Sequence, residues 1–160
     1  MPAAPTAGTL DLSILPEQKR LCFYGALFSM AFADKRVDES ESELIMDSLD
    51  LEHLSEEARR QVLAQAISPP RLETCLEALE DSDEEIRFSL MLNLIDIALA
   101  DDSIEPAEHA GLRSARETLG IPGEVIEVMH EEALRAQQTR GKAEAPHRPL
   151  RYTAPQTEQA

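Results

Sequence analysis

The sequence predicts an all-α fold, a single seven-helix bundle with a pseudo-two-fold internal repeat. Three observations lead there. Apolar residues recur at helical spacing, and the period-two alternation of half-buried strands is absent. Proline and capping signals divide residues 14–138 into segments with short connections. Aromatics make up only 4% of the chain and Trp is absent, so the core must be aliphatic and alanine-rich, which suits helices.

Pro16 opens a first helix that runs through "LCFYGALFSMAFA" to Asp34. Asp38 with Glu41 forms a capping-box-like start for a second, which turns Leu44, Ile45 and Leu49 inward. Ser55 caps a third, with Val62 and Leu63 inward, and Ser68-Pro69 starts a fourth, with Leu72, Leu76 and Leu79 inward. Ser82 with Glu85 caps a fifth, the apolar "IRFSLMLNLIDIALA". Pro106 opens a sixth helix and Pro122 a seventh, which fades near Gln138. Residues 1–13 read as a flexible N-terminus. Residues 139–160, with three prolines, four basic residues and little apolar material, read as a disordered basic tail.

Shifted by 67 residues, the two halves line up. Ala33-Asp34 falls on Ala100-Asp101, Val37 on Ile104, Asp38 on Glu105 and Glu41 on Glu108. Leu27 and Phe28 fall on Leu94 and Ile95, Leu54 on Ile121, and Val62 on Met129. The first and fifth helices are apolar almost all round, so they should be central and mutually packed.

The repeated pattern A-D-x-x-[VI]-[DE]-x-x-E, following apolar helices in an acidic helical chain, resembles the bacterial tellurite-resistance TerB family over residues 16–136. The usual corner glycine of that family is replaced by Lys35 in the first copy and Asp102 in the second. The resemblance implies a helical stress-response domain, linked to tellurite and other chemical or phage stress. It implies assembly with membrane-associated partners and an acidic surface suited to metal. A related domain forms the N-terminal part of a J-domain co-chaperone; this chain has no HPD tripeptide and is not itself a J-domain.

Two readings of the corner acids stand side by side. An acid at a helix C-terminus opposes the macrodipole, yet Asp34 and Asp101 both occupy that place. In one reading Asp38 and Glu105 are N-caps, Glu41 and Glu108 sit at the reciprocal position, and Asp34 and Asp101 accept amides of the turn. In the other, Asp34, Asp38 and Glu41, and again Asp101, Asp102, Glu105 and Glu108, also converge to form weak Ca²⁺ or Mg²⁺ sites. Asp102 favours the second corner, whereas Lys35 and Arg36 oppose a cation at the first. Counted from Asp34, the corner does not fit an EF-hand, which needs Gly and Glu where Glu39 and Ile45 stand. No cofactor is required.

Other signals are structural. "EDSDEE" at 80–85 is a helix start rather than a cation loop, and Asn93 and Asp96 share one face of the fifth helix. A buried Asp96 needs a partner, for which Arg20 or Arg113 would serve. Cys22 and Cys75 lack CxxC spacing and read as small buried hydrophobes of a reducing cytosol. His53, His109, His130 and His147 show no zinc spacing and suit the surface. No phosphate loop, GxSxG or ordered Cys/His pair is present, so no enzyme is expected.

The formal charge of −16 excludes nucleic acid as a general partner, because a phosphate backbone would be repelled. The longest apolar stretch is about 13 residues, short of the roughly 20 that span a bilayer, and "MPAAPTAGTL" has no signal-peptide features. The expectation is a cytoplasmic, non-catalytic domain, peripheral at the inner membrane through its partners. It would dock a basic or membrane-associated protein through its acidic face. The alternative is a co-chaperone-like or regulatory module that holds a partner helix in an apolar groove, without metal. Partner and oligomeric state are not written in the chain.

Overall fold

The computed structural model describes residues 10, 12, 15–31, 54–99, 106–140 and 150–152, with the backbone alone at 106–108 and 139–140. These residues form six α-helices and no strand: α1 (Glu17–Ala31), α2 (Glu56–Ile67), α3 (Leu72–Leu79), α4 (Glu84–Leu99), α5 (Pro106–Leu119) and α6 (Gly123–Arg140). The helix expected to start at Asp38 lies outside them.

α1 and α4 are the centre. Phe23, Tyr24, Ala26, Leu27, Phe28 and Met30 are buried on α1, and Leu90, Met91, Leu92, Leu94, Ile95 and Ala98 on α4. Helices apolar on every side bury only if other helices surround them. Accordingly α1 packs against α2, α3 and α4, while α4 packs against α1, α5 and α6; α3 and α5 also touch. α1 and α4 start 67 residues apart, as do α2 and α6. The same interval separates matching backbone bonds: Leu15 N–H to Leu12 O and Ser82 N–H to Leu79 O, both 3.0 Å, precede the two central helices.

α2 starts at the predicted cap. The Ser55 hydroxyl accepts from Ala58 N–H at 3.1 Å. In a capping box an acid at Ala58's position would reach back to the Ser55 amide. Here Glu17, from the first turn of α1, does so across 38 residues: Ser55 N–H donates to its Oε2 at 2.9 Å, and the Ser55 hydroxyl donates to its Oε1 at 3.0 Å. These bonds hold the Glu17 carboxyl below the ordinary carboxylate range. A lowered folded pKa gives stability that is present above the unfolded pKa and lost as pH falls through the folded value. Ser55→Ala is therefore expected to cost about 1 kcal/mol in urea denaturation at neutral pH. The stability gap between the native chain and Glu17→Gln should close on acidification; a gap unchanged down to pH 3 would rule out this linkage.

Two predicted starts move. Ser68 does not begin α3; it is the C-cap of α2, with its N–H bonded to Ala64 O at 2.8 Å. Pro69 and Pro70 hold the preceding backbone extended, so α3 starts only after Arg71. Ser82 does not cap α4 either. Its N–H closes the turn on Leu79, its Oγ is buried with no hydrogen-bond partner, and Asp83 O accepts the first helical amide, from Arg87. Nearby, Asp81 of "EDSDEE" pairs with Lys19 at 3.0 Å, which lowers its pKa.

α5 ends in a Schellman motif. Gly120 takes φ +69°, and Ile121 N–H reaches back to Arg116 O at 3.0 Å. That corner sends α6 back along α4. The seventh predicted helix thus begins where Pro122 foretold, and it continues to Arg140. Among the described residues no helix is long and apolar enough to cross a membrane.

Candidate functional site

α4, α5 and α6 enclose an open cavity of about 610 Å³. Met91 and Ile95 of α4, one turn apart, make its floor, and both are buried. α5 contributes His109, Leu112, Arg113 and Arg116, the i, i+3, i+4, i+7 positions of one face. α6 contributes Ile126 and His130. A neighbouring cavity of about 540 Å³ shares Arg113 and Arg116 and runs round the corner past Gly120, Ile121 and Pro122. The two form one groove with an aliphatic floor. Its mouth carries exposed Arg113, Arg116 and His109, with half-buried His130. Glu117 is the one carboxylate among the described residues lining either part. On a chain of net charge −16, this is a cationic opening on an acidic body. Such a shape suits an amphipathic ligand with acidic groups flanking an apolar ridge.

Another side of α4 is polar. Ser89, Asn93 and Asp96 are fully buried along one stripe of an otherwise apolar helix. Gln137 of α6 satisfies Asp96, its amide donating to Asp96 Oδ1 and to Asp96 O, each at 3.0 Å. An uncharged amide from α6 is thus one partner of the buried Asp96. Asn93 and Ser89 bind the chain's own residues 150–152. Asn93 Nδ2 donates to Leu150 O at 2.9 Å, Leu150 N–H donates to Asn93 Oδ1 at 2.8 Å, and Tyr152 N–H donates to Ser89 Oγ at 2.9 Å. The Tyr152 ring packs edge-on to Phe88 at 5.6 Å. Arg151 Nε lies 2.7 Å from Glu85 Oε2. Burial pushes the Tyr152 phenol above its ordinary pKa, and Glu132 and Glu84 push it further.

Within the tail expected at 139–160, Leu150–Tyr152 are placed against α4, and within the terminus expected at 1–13, Leu10 and Leu12 are buried. Composition gives little sign of the first contact because only Leu150 and Tyr152 in that tail are large and apolar. Two adjacent signals could have found it: that island, and a Ser89/Asn93 pair one turn apart in a helix that otherwise buries everything.

The metal candidates Asp34, Asp38, Glu41, Asp101, Asp102 and Glu105 lie outside the described residues, and Glu108 is described by backbone alone. Among the described residues no three His, Cys, Asp or Glu side chains gather where they could hold an ion. Both cysteines are free. Burial, then Cys22, pushes the Cys75 thiol up to about 12, and burial raises Cys22 as well. Neither is a ready nucleophile near neutral pH.

No curated protein and no solved structure matches the chain. One family model does, described as "Tellurite resistance protein TerB", over residues 26–130. That span runs from inside α1 to inside α6 and takes in the end of α1, all of α4, the groove and the polar stripe. It covers more than half of the sequence, and the chain belongs to the TerB family.

Proposed function

We propose that the protein is a non-catalytic docking domain of bacterial stress response, of the tellurite-resistance type, whose contact surface is the groove between α4, α5 and α6. The supporting observation is the pairing of an aliphatic floor, Met91, Ile95, Leu112 and Ile126, with a cationic mouth, Arg113 and Arg116. Its occupant is an acidic amphipathic helix of a partner protein. Apolar burial supplies affinity, and the arginines select against basic partners and fix orientation. This gives weight to the groove-binding alternative over docking through the acidic face.

Two further parts of the reading rest mainly on the sequence. The helix at Asp38 completes a seven-helix, pseudo-two-fold bundle; the common 67-residue interval of helix starts and of turn bonds supports it. Asp101, Asp102, Glu105 and Glu108 hold a weak Ca²⁺ or Mg²⁺, with Asp34, Asp38 and Glu41 as the lesser counterpart. The ion would tune docking rather than drive chemistry.

One experiment separates these parts. The partner is captured from native lysate, identified, and then titrated against purified native chain and Arg113→Glu/Arg116→Glu, with and without chelator. The double reversal is expected to weaken binding at least tenfold, while moderate salt weakens it less, because the floor is apolar. Unchanged affinity in the double variant would reject the groove. Chelator-insensitive affinity would reject a role for the ion.

A further inference from the structure

We infer that the slot on α4 formed by Ser89, Asn93, Phe88 and Glu85 is a binding site for an extended peptide carrying a basic residue followed by an aromatic one. Leu150–Tyr152 is its tethered occupant, and a partner segment of the same chemistry displaces it.

The recognition is of main chain. Both ends of the Asn93 amide reach Leu150, its Nδ2 also donating to Ser89 O at 2.7 Å, and Ser89 takes the N–H two residues on. Residues two apart on an extended strand present their main-chain groups to the same side. A helix here offers through two side chains what a sheet edge offers in strand addition, so the backbone part of the binding is open to many sequences. Selectivity comes from the next shell of contacts. Tyr152 fills the place against Phe88, and Arg151 answers Glu85 in a pair that stays largely in water. Glu84 and Glu132 also face Tyr152, so the surroundings favour a basic segment and oppose an acidic one. The groove described above has the opposite preference, so the slot takes a different ligand.

With the occupant in place Ser89 and Asn93 are almost wholly buried, so a ligand reaches them only by displacing residues 150–152. The occupant belongs to the same chain, so it competes with any free ligand intramolecularly. A free ligand meets the intact chain with its apparent affinity reduced by the fraction of slots already filled.

The probe is a fluorescein-labelled peptide of residues 147–155, followed by polarisation against the full-length chain. Tyr152→Ala, which loosens the tethered occupant, is expected to bind the peptide at least tenfold more tightly than the native chain does. Glu85→Lys in the same background should weaken it at least threefold. A second arm avoids any packing change: Glu85→Lys in the otherwise native chain should bind a peptide with glutamate in place of Arg151 better than it binds the native peptide. Equal affinity for Tyr152→Ala and native chain, no binding by either, or indifference to the exchange of charge at Glu85 would each overturn the proposal and leave residues 150–152 as a fixed structural clasp.

Discussion

Replacing Gly25 with alanine is expected to destabilise the protein by about 1–2 kcal/mol, although alanine usually improves a helix interior by up to about 1 kcal/mol over glycine. Gly25 lies in α1 where α2, α3 and the Pro69-Pro70 connection converge. A Cβ there would stand 2.9 Å from Pro70 Cγ, 3.0 Å from Cys75 Sγ and 3.2 Å from Gln65 Nε2. None of these atoms yields readily. The proline ring is rigid, Cys75 is a short buried side chain, and Gln65 is tied to Leu21 O at 3.2 Å. Overpacking costs roughly 1–3 kcal/mol, and rigid neighbours put this site at the upper end, so packing outweighs propensity. Gly25→Val should cost about 3 kcal/mol or more by the same argument. Gly111 is the control. A Cβ on it would meet Leu72 Cδ2 and Met30 Cε, both at 3.0 Å, but these are the ends of flexible side chains. Gly111→Ala should therefore be neutral within about 0.5 kcal/mol, its propensity gain offsetting a small shift. Urea midpoints of the two alanine variants decide it: equal stability would mean that close approach at Gly25 does not set the α1–α3 spacing.

The contrast shows which parts of the architecture could be read from residues in order and which could not. The central pair was legible because an all-round apolar run has one solution, burial by other helices. Ser55 was legible as a cap because the hydroxyl acts locally; its second partner, Glu17, comes from another helix and leaves no local trace. The start of α4 was misplaced because Ser82 and Asp83 are both good caps, and the turn after α3 commits the Ser82 amide to Leu79. An apolar groove was expected as the alternative, but its place and its cationic mouth were missed for a different reason. In a chain with 31 acids and 15 lysines and arginines, the acids draw attention, and Arg113 and Arg116 look like ordinary surface of an amphipathic helix. Only the meeting of α5 with Met91, Ile95 and Ile126 turns them into the edge of a cavity.

α4 carries both candidate surfaces, and its geometry keeps them apart. Ser89 and Asn93 mark one direction round the helix axis, Met91 and Ile95 another. A two-residue step turns an α-helix by about 200°, so Ser89 and Asn93 lie on nearly the opposite side of α4 from Met91 and Ile95, while Phe88, seven residues before Ile95, stands toward the groove's face. The main-chain part of the slot is thus set apart from the groove, and variants at Arg113 and Arg116 should leave the peptide assay of the slot unchanged.

Arg87 joins the start of α4 to the corner that ends the groove, and Arg87→Met is expected to cost about 2–3 kcal/mol. Its Nε donates to Ser82 O at 2.9 Å and its Nη1 to Leu119 O at 2.6 Å. Leu119 is the last residue of α5, where carbonyls have no helical partner and a cation is favoured by the macrodipole. Hydrogen bonds to a charged group contribute roughly 1.5–3 kcal/mol each when shielded. The side chain is half-buried, so solvent trims both, and the sum stays at the low end. Methionine keeps an unbranched apolar stem while removing both donors and the guanidinium that lies 5.7 Å over the Phe88 ring, so the loss reports the charged group as a whole. Lysine can reach one carbonyl but not span the fork, so Arg87→Lys should lose about half as much. The damage should be local before it is global. Releasing Leu119 frees the turn at Gly120, and amide exchange at Ile121 and Ile126 should speed up in Arg87→Met more than exchange in α1 and α2. A variant with native exchange at the corner, or one that loses less than about 0.5 kcal/mol, would show that the Schellman turn and the packing of Ile121 hold α6 in place without the arginine.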